Sequence, residues 1–243
     1  MKILALDSSG LVASVAVLED DVLQAEYTIN YKKTHSQTLL PMLEEVKKLI
    51  ELDLSSIDAI AIACGPGSFT GLRIGSATAK GLGLALKKPL IAVPTLEGLA
   101  YQCYGTDKLV CPIMDARRNQ VYTGIYEFAR KAENGEPAVF TLKTVEGQCA
   151  ADIHELAAKL NALGREVCLL GDGVPVFRKT LEELLTVPYS FAPPQMNRQR
   201  AASVGALAEV YYKEGRIQTA AGHQPEYLRL SQAERERLEG QER

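Results

Sequence analysis

Tryptophan is absent from this chain of 243 residues, and histidine occurs only at His35, His154 and His223. A histidine-based metal site on a helix needs a second histidine or carboxylate three or four residues on. The positions after His35 hold Thr38 and Leu39 instead, so a capping or surface role is the expectation for it. The five cysteines, Cys64, Cys103, Cys111, Cys149 and Cys168, are scattered and form no CxxC pair. That spacing excludes a zinc ribbon and a thioredoxin-type motif, and reads as reduced thiols of a cytosolic protein. The apolar stretch before Asp7 is too short for a signal peptide, and no run reaches membrane-span length. An excess of positive charge is also missing. With 27 basic and 30 acidic residues the net charge is −3, so no global attraction to nucleic acid exists. Any RNA contact must come from a local patch or a partner. What the chain does have is apolar content, 47% hydrophobic, enough to build a core and to exclude wholesale disorder.

The pattern along the chain is α/β and repeats itself. Residues 2–6 read as a strand ending in Asp7, 13–18 as a second and 23–29 as a third. Leu39, Leu43, Val46 and Ile50 then mark a helix, with Pro41 expected in or near its first turn because a deeper proline costs a hydrogen bond. A strand at 58–64 runs into Gly65-Pro66-Gly67, followed by a helix over 68–86, a strand at 90–93 and a helix over 95–104 capped by Thr95. The second half follows the same scheme. A strand ends in Asp115, strands follow at 121–128 and 138–144, Asp152 caps a helix, and a strand at 166–170 runs into Gly171-Asp172-Gly173. Helices over 176–185 and 201–212 complete it. Asp7 thus pairs with Asp115, and the Gly65 turn with the Gly171 turn. Two such lobes suggest the duplicated ribonuclease-H-like fold of actin, hexokinase and Hsp70, with lobes at 1–104 and 105–230 and a charged, solvated tail at 231–243.

Several constellations have both a chemical and a plain reading. In two-lobed phosphate-handling proteins an acidic residue at Asp7 holds Mg²⁺ and the turn amides face phosphate, which makes Asp7, Ser8 and Gly65 the candidate nucleotide-binding residues. The same Asp7-Ser8-Ser9-Gly10 run also fits an ordinary hairpin turn. Gly65-Pro66-Gly67-Ser68-Phe69-Thr70-Gly71 opens a helix but lacks the P-loop lysine and the GxGxxG spacing. Along that helix Gly71, Gly75, Ala79 and Gly83 recur every four residues. Such a stripe invites close approach of another backbone, either this chain's own sheet or a partner helix. Arg117-Arg118 after Asp115 reads as solvated charge or as an acid–base pair at the lobe cleft. No GxSxG elbow or Cys–His pair stands out.

Taken together, residues 63–86 (ACGPGSFTGLRIGSATAKGLGLAL), 113–126 (IMDARRNQVYTGIY), 35–41 (HSQTLLP), 224–234 (QPEYLRLSQAE) and the opening DSSGLVASVAV closely resemble the TsaB family, also called YeaZ. The resemblance implies a two-lobed actin/Hsp70-like protein that serves in making threonylcarbamoyladenosine (t6A) at adenosine 37 of tRNAs reading ANN codons. In that system the metal-bearing paralogue TsaD transfers threonylcarbamoyl from threonylcarbamoyl-AMP to the adenosine N6. The family member is the non-catalytic partner of TsaD, with no metal or cofactor of its own, and an ATPase, TsaE, joins the pair. ATP or ADP is expected, if anywhere, at the interface of the complex, and tRNA is met through the complex. The paralogue's two metal-binding histidines correspond to His35 and a position here occupied by Leu39. The resemblance further implies that the first two helices of the N-terminal lobe pack against those of TsaD, or of a second copy when TsaD is absent. On that basis His35, Leu39, Met42, Gly71, Ile74, Gly75 and Ala79 are the expected partner-interface residues. The competing expectations are an independent ATP-dependent phosphotransferase or peptidase, and a stand-alone tRNA-binding module, which the negative charge disfavours.

Overall fold

The computed structural model describes residues 1–132 and 137–229. Residue 230, the 231–243 tail and the end of the 224–234 segment lie outside the described residues. Strands β1 (Lys2–Asp7), β2 (Ala13–Glu19) and β3 (Val22–Ile29) form an antiparallel meander. Helix α1 (His35–Leu49) follows, then β4 (Ala59–Gly65), α2 (Phe69–Leu86), β5 (Leu90–Pro94) and α3 (Thr95–Tyr101). The second half runs β6 (Leu109–Asp115), β7 (Gln120–Lys131), β8 (Val139–Asp152), α4 (Ile153–Leu163), β9 (Val167–Leu170), α5 (Val174–Leu184), β10 (Tyr189–Phe191) and α6 (Ala201–Lys213). The first sheet has the order β3-β2-β1-β4-β5 and the second β8-β7-β6-β9-β10, the same order with corresponding strands. In each, the first strand pairs antiparallel with the second and parallel with the fourth. This is the duplicated ribonuclease-H-like, actin-like α/β fold.

Residues 3–6 of β1 and 59–64 of β4 are apolar because both faces of the first sheet are covered. Alternation along the strands sends Leu4, Leu6, Ile60 and Ile62 to one face, against Leu39, Met42 and Val46 of α1. Ile3, Ala5, Ala59, Ala61 and Ala63 point to the other, against Val204, Leu207 and Ala208 of α6. The alanines keep that face low, so α6 comes close enough that a Cβ on Gly205 would meet Leu18 Cδ1 at 2.2 Å. The start of α6 is tied to the same sheet. Ser14 Oγ accepts the Ala201 amide at 2.9 Å, and Glu26 accepts the Ala202 amide at 3.1 Å while pairing with the Arg200 guanidinium. A carboxylate at a helix N-terminus is favoured by the helix dipole.

Two helices make contacts across the expected division into 1–104 and 105–230. Helix α6 comes from the second half yet covers the first sheet. Helix α3 comes from the first half yet buries Leu96, Leu99 and Ala100 against Val110, Met114 and Tyr126 of the second sheet. Helix α3 therefore lies between the two sheets, and a cut between residues 104 and 105 strips the first sheet of α6.

Smaller expectations also change. Pro41 is the seventh residue of α1, in its second turn, and both it and Gln37, whose carbonyl loses its helical partner, face solvent. Thr95 does not cap α3; its hydroxyl accepts the Gly65 amide at 3.1 Å instead. Strand β8 is 14 residues long, about twice the segment its hydropathy marks, because its half-exposed face is polar. The short edge strand β10 has no clear sequence signal. Among the described residues no helix is long and apolar enough to cross a membrane.

Candidate functional site

Two features converge at the C-terminal end of β1: the cleft between the lobes, and the outer face of α1 and α2. The cleft is a cavity of about 570 Å³. One wall holds Ser9, Gly10, His35 and Phe69, and the other holds Asp115, Arg117 and Asp172.

The first wall is a tightly closed turn. Ser9 donates both its amide and its hydroxyl to Asp7 Oδ1, at 2.9 and 2.7 Å. Ser8 Oγ donates to the Gly71 carbonyl at 2.9 Å, and the Ser68 amide donates to the Ser9 carbonyl at 2.7 Å. These contacts explain the glycines. A Cβ on Gly67 would lie 2.1 Å from the Ser9 carbonyl oxygen, and one on Gly71 2.1 Å from that of Ser8. On Gly75 it would lie 2.3 Å from Ser8 Oγ. Gly65, at φ +128°, lies under the backbone of Glu226, whose carbonyl oxygen a Cβ would meet at 2.1 Å. The glycine-rich run is therefore shaped to seat α2 on the Ser8–Ser9 turn and residues 224–227 on the Gly65 turn.

The candidate nucleotide residues do not fit a nucleotide or its metal in this arrangement. Asp7 is 2% exposed, both Ser9 donors hold its Oδ1, and burial pushes its carboxyl up to about 6. Ser8 is committed to Gly71, and Gly65 is roofed by Glu226. The plain hairpin reading of this turn is the one the geometry supports.

The small-residue stripe is also corrected. Gly71, Gly75, Ala79 and Gly83 face inward, Ala79 with no exposed surface. Leu39 and Met42, at 1% and 2% exposure, belong to the core under α1. These residues bind this chain's own sheet and turn, so they are not available to a partner. Ile74 is half-buried at the edge of the outer face. His35 is the first residue of α1; its Nε2 donates to the Gly10 carbonyl at 2.8 Å, and its Nδ1 is buried without a partner. Among the described residues no group of three His, Cys, Asp or Glu side chains is placed to hold a metal ion.

The outward residues of α2 form a second stripe that the sequence reading missed. Arg73, Ala77, Gly81 and Ala85 also recur every four residues, and all are exposed. They lie two positions on from the buried stripe, about 200° around the helix at 3.6 residues per turn. Leu84, 64% exposed, joins them, and Leu40 on neighbouring α1 is 53% exposed. A Cβ on Gly81 would meet nothing within 4 Å, so no contact among the described residues explains a glycine there. Above this ridge, Arg73 stacks on Phe69 at 4.0 Å, and Phe69 packs on Tyr227 with centroids 4.8 Å apart.

The second wall carries the charge. Arg117 pairs with Asp115 at 3.2 Å in a turn whose Arg117, Arg118 and Asn119 are all left-handed. Asp172 accepts the Asp115 amide at 3.3 Å, and burial raises its carboxyl above the usual range. Arg229 reaches across to the Ala116 carbonyl at 2.8 Å, so the segment that covers Gly65 also touches the second lobe.

Comparison with known proteins gives a consistent result. The family model described as "TsaD: tRNA N6-adenosine threonylcarbamoyltransferase" matches residues 23–237. The tRNA threonylcarbamoyladenosine biosynthesis protein TsaB of Bacillus subtilis is 32% identical over 241 residues, covering 99% of this chain and all of that protein. The Escherichia coli protein of the same name is 36% identical over 138 residues, 56% of this chain and 58% of that one. The solved structure of YeaZ from Pseudomonas aeruginosa superposes with a TM-score of 0.75 at 28% identity, covering 93% of this chain and 99% of the other.

Proposed function

This chain belongs to the TsaB (YeaZ) family, and on that premise we propose that it is the non-catalytic subunit that binds and supports TsaD. TsaD then transfers threonylcarbamoyl from threonylcarbamoyl-AMP to N6 of adenosine 37 in ANN-reading tRNAs. The observation that carries this reading is the outer ridge of α2. Ala77 and Gly81 are small enough for a partner helix to approach closely, and Leu84 and Leu40 flank them with exposed apolar surface. An exposed helical glycine costs about 1 kcal/mol relative to alanine. Gly81 returns nothing for that among the described residues, which is the expected pattern where a second helix crosses. Burial of the two leucines at the centre of such a contact supplies affinity, and Arg73 provides a polar rim.

The same ridge pairs with a second copy when TsaD is absent, and TsaE joins the assembled pair. ATP or ADP belongs at the junction of the subunits, since Asp7 and Ser8 are buried and already bonded. Transfer RNA is met through the complex, in keeping with the net negative charge of this chain. The test is reconstitution. Purified TsaD, TsaE and the enzyme that makes threonylcarbamoyl-AMP are expected to form little t6A until this protein is added. Full t6A formation without it would overturn the reading.

A further inference from the structure

Five cysteines are present and none is bonded, but two of them face each other. Cys103 lies just after α3, on the crossover from the first sheet to the second, and its Sγ is 4.0 Å from Sγ of Cys168 in β9. Cys103 is 7% exposed and Cys168 is half-buried, so the second thiol is within reach of a small solute. Bringing the sulfurs from that separation to bonding distance requires a closure of about 2 Å. The surroundings of Cys168 favour its thiolate. The Cys103 thiol beside it, Ser190 Oγ and the Lys108 ammonium all favour the charged form, while burial and Glu166 oppose it; the balance holds Cys168 below an ordinary thiol. Lys108 is fixed there by Glu166 at 2.6 Å and Ser190 at 3.3 Å. Burial instead pushes Cys64 and Cys111 up to about 12, far from a reactive thiolate.

We propose that Cys103 and Cys168 form an oxidisable dithiol site, whose reversible disulfide fastens the crossover between the two sheets to β9. With hydrogen peroxide as oxidant, the Cys168 thiolate attacks one peroxide oxygen and releases hydroxide, becoming a sulfenic acid. The Cys103 sulfur then attacks the Cys168 sulfur. The S–S bond forms as the S–O bond breaks, and the hydroxyl leaves as water with the Cys103 proton. Two thiols are oxidised by two electrons and one peroxide is reduced to two waters. A small dithiol reverses the bond by exchange.

The experiment uses the intact wild-type protein, treated with hydrogen peroxide, then denatured for thiol titration and peptide mapping. The expected result is loss of two of the five thiols per chain, a linked pair of peptides containing Cys103 and Cys168, and full recovery with dithiothreitol. Amide exchange over residues 102–108 is expected to slow in the oxidised form. The Cys168→Ser variant is expected to keep all its remaining thiols at the same dose. An unchanged thiol count, a bridge between chains, over-oxidised Cys168 beside a free Cys103, or unchanged exchange over 102–108 would each overturn the proposal.

Discussion

Ser8 and Gly71 hold each other from both sides: the Ser8 hydroxyl donates to the Gly71 carbonyl at 2.9 Å, and the Ser8 carbonyl oxygen occupies the space a Cβ on Gly71 would need. The first turn of α2 is thereby seated on the end of β1. The outer ridge of that helix takes its position from this contact.

Substitution on the inner side is expected to damage the fold. Gly71→Ala forces a backbone contact of 2.1 Å apart, and Gly75→Leu must displace Ser8 and Ile62. Overpacking of this kind costs typically about 1–3 kcal/mol. For a chain of this size each kcal/mol lowers Tm by roughly 2–4 °C. Thermal unfolding checks this; an unchanged Tm for both variants would mean that α2 does not sit on the turn as described.

Asp7 makes a prediction with a definite sign. Its carboxyl is pushed by burial from an ordinary 3.8 to about 6, so between about pH 4 and pH 6 the native state holds a proton that the unfolded chain has released. Stability therefore falls as pH rises through that window, and above it the charged form carries a cost of up to about 3 kcal/mol. Asp7→Asn keeps an oxygen for both Ser9 donors and removes the charge. It is expected to raise Tm at pH 7 and to flatten this part of the pH–stability profile. A lower Tm at pH 7 with an unchanged profile would show that the charge is useful to the fold.

Much of this was legible in the residues. The repeated strand–Asp–turn pattern identified two equivalent sheets, since apolar runs ending at Asp7 and Asp115 and glycine turns at Gly65 and Gly171 mark corresponding strand ends. The orientation of α2 was not legible. Small residues occupy both its buried positions (Gly71, Gly75, Ala79) and its exposed ones (Ala77, Gly81, Ala85), so the apolar pattern does not distinguish one face from the other. Leu40 carries a faint signal, because it falls outside the Leu39–Leu43–Val46 core series. The return of α6 to the first sheet is a long-range effect. It depends on Ser14 and Glu26 receiving the start of α6 more than 170 residues later, which no local window contains.

The central claim is that the outer ridge of α2 is where TsaD binds, and titration calorimetry of TsaD with wild-type protein and Gly81→Arg tests it most directly. Gly81 is exposed within a helix, so arginine there is expected to leave Tm unchanged or slightly raised. Its bulk and charge are expected to weaken the heterodimer at least about tenfold, or 1.4 kcal/mol. A folded Gly81→Arg variant that binds TsaD with wild-type affinity would contradict the account.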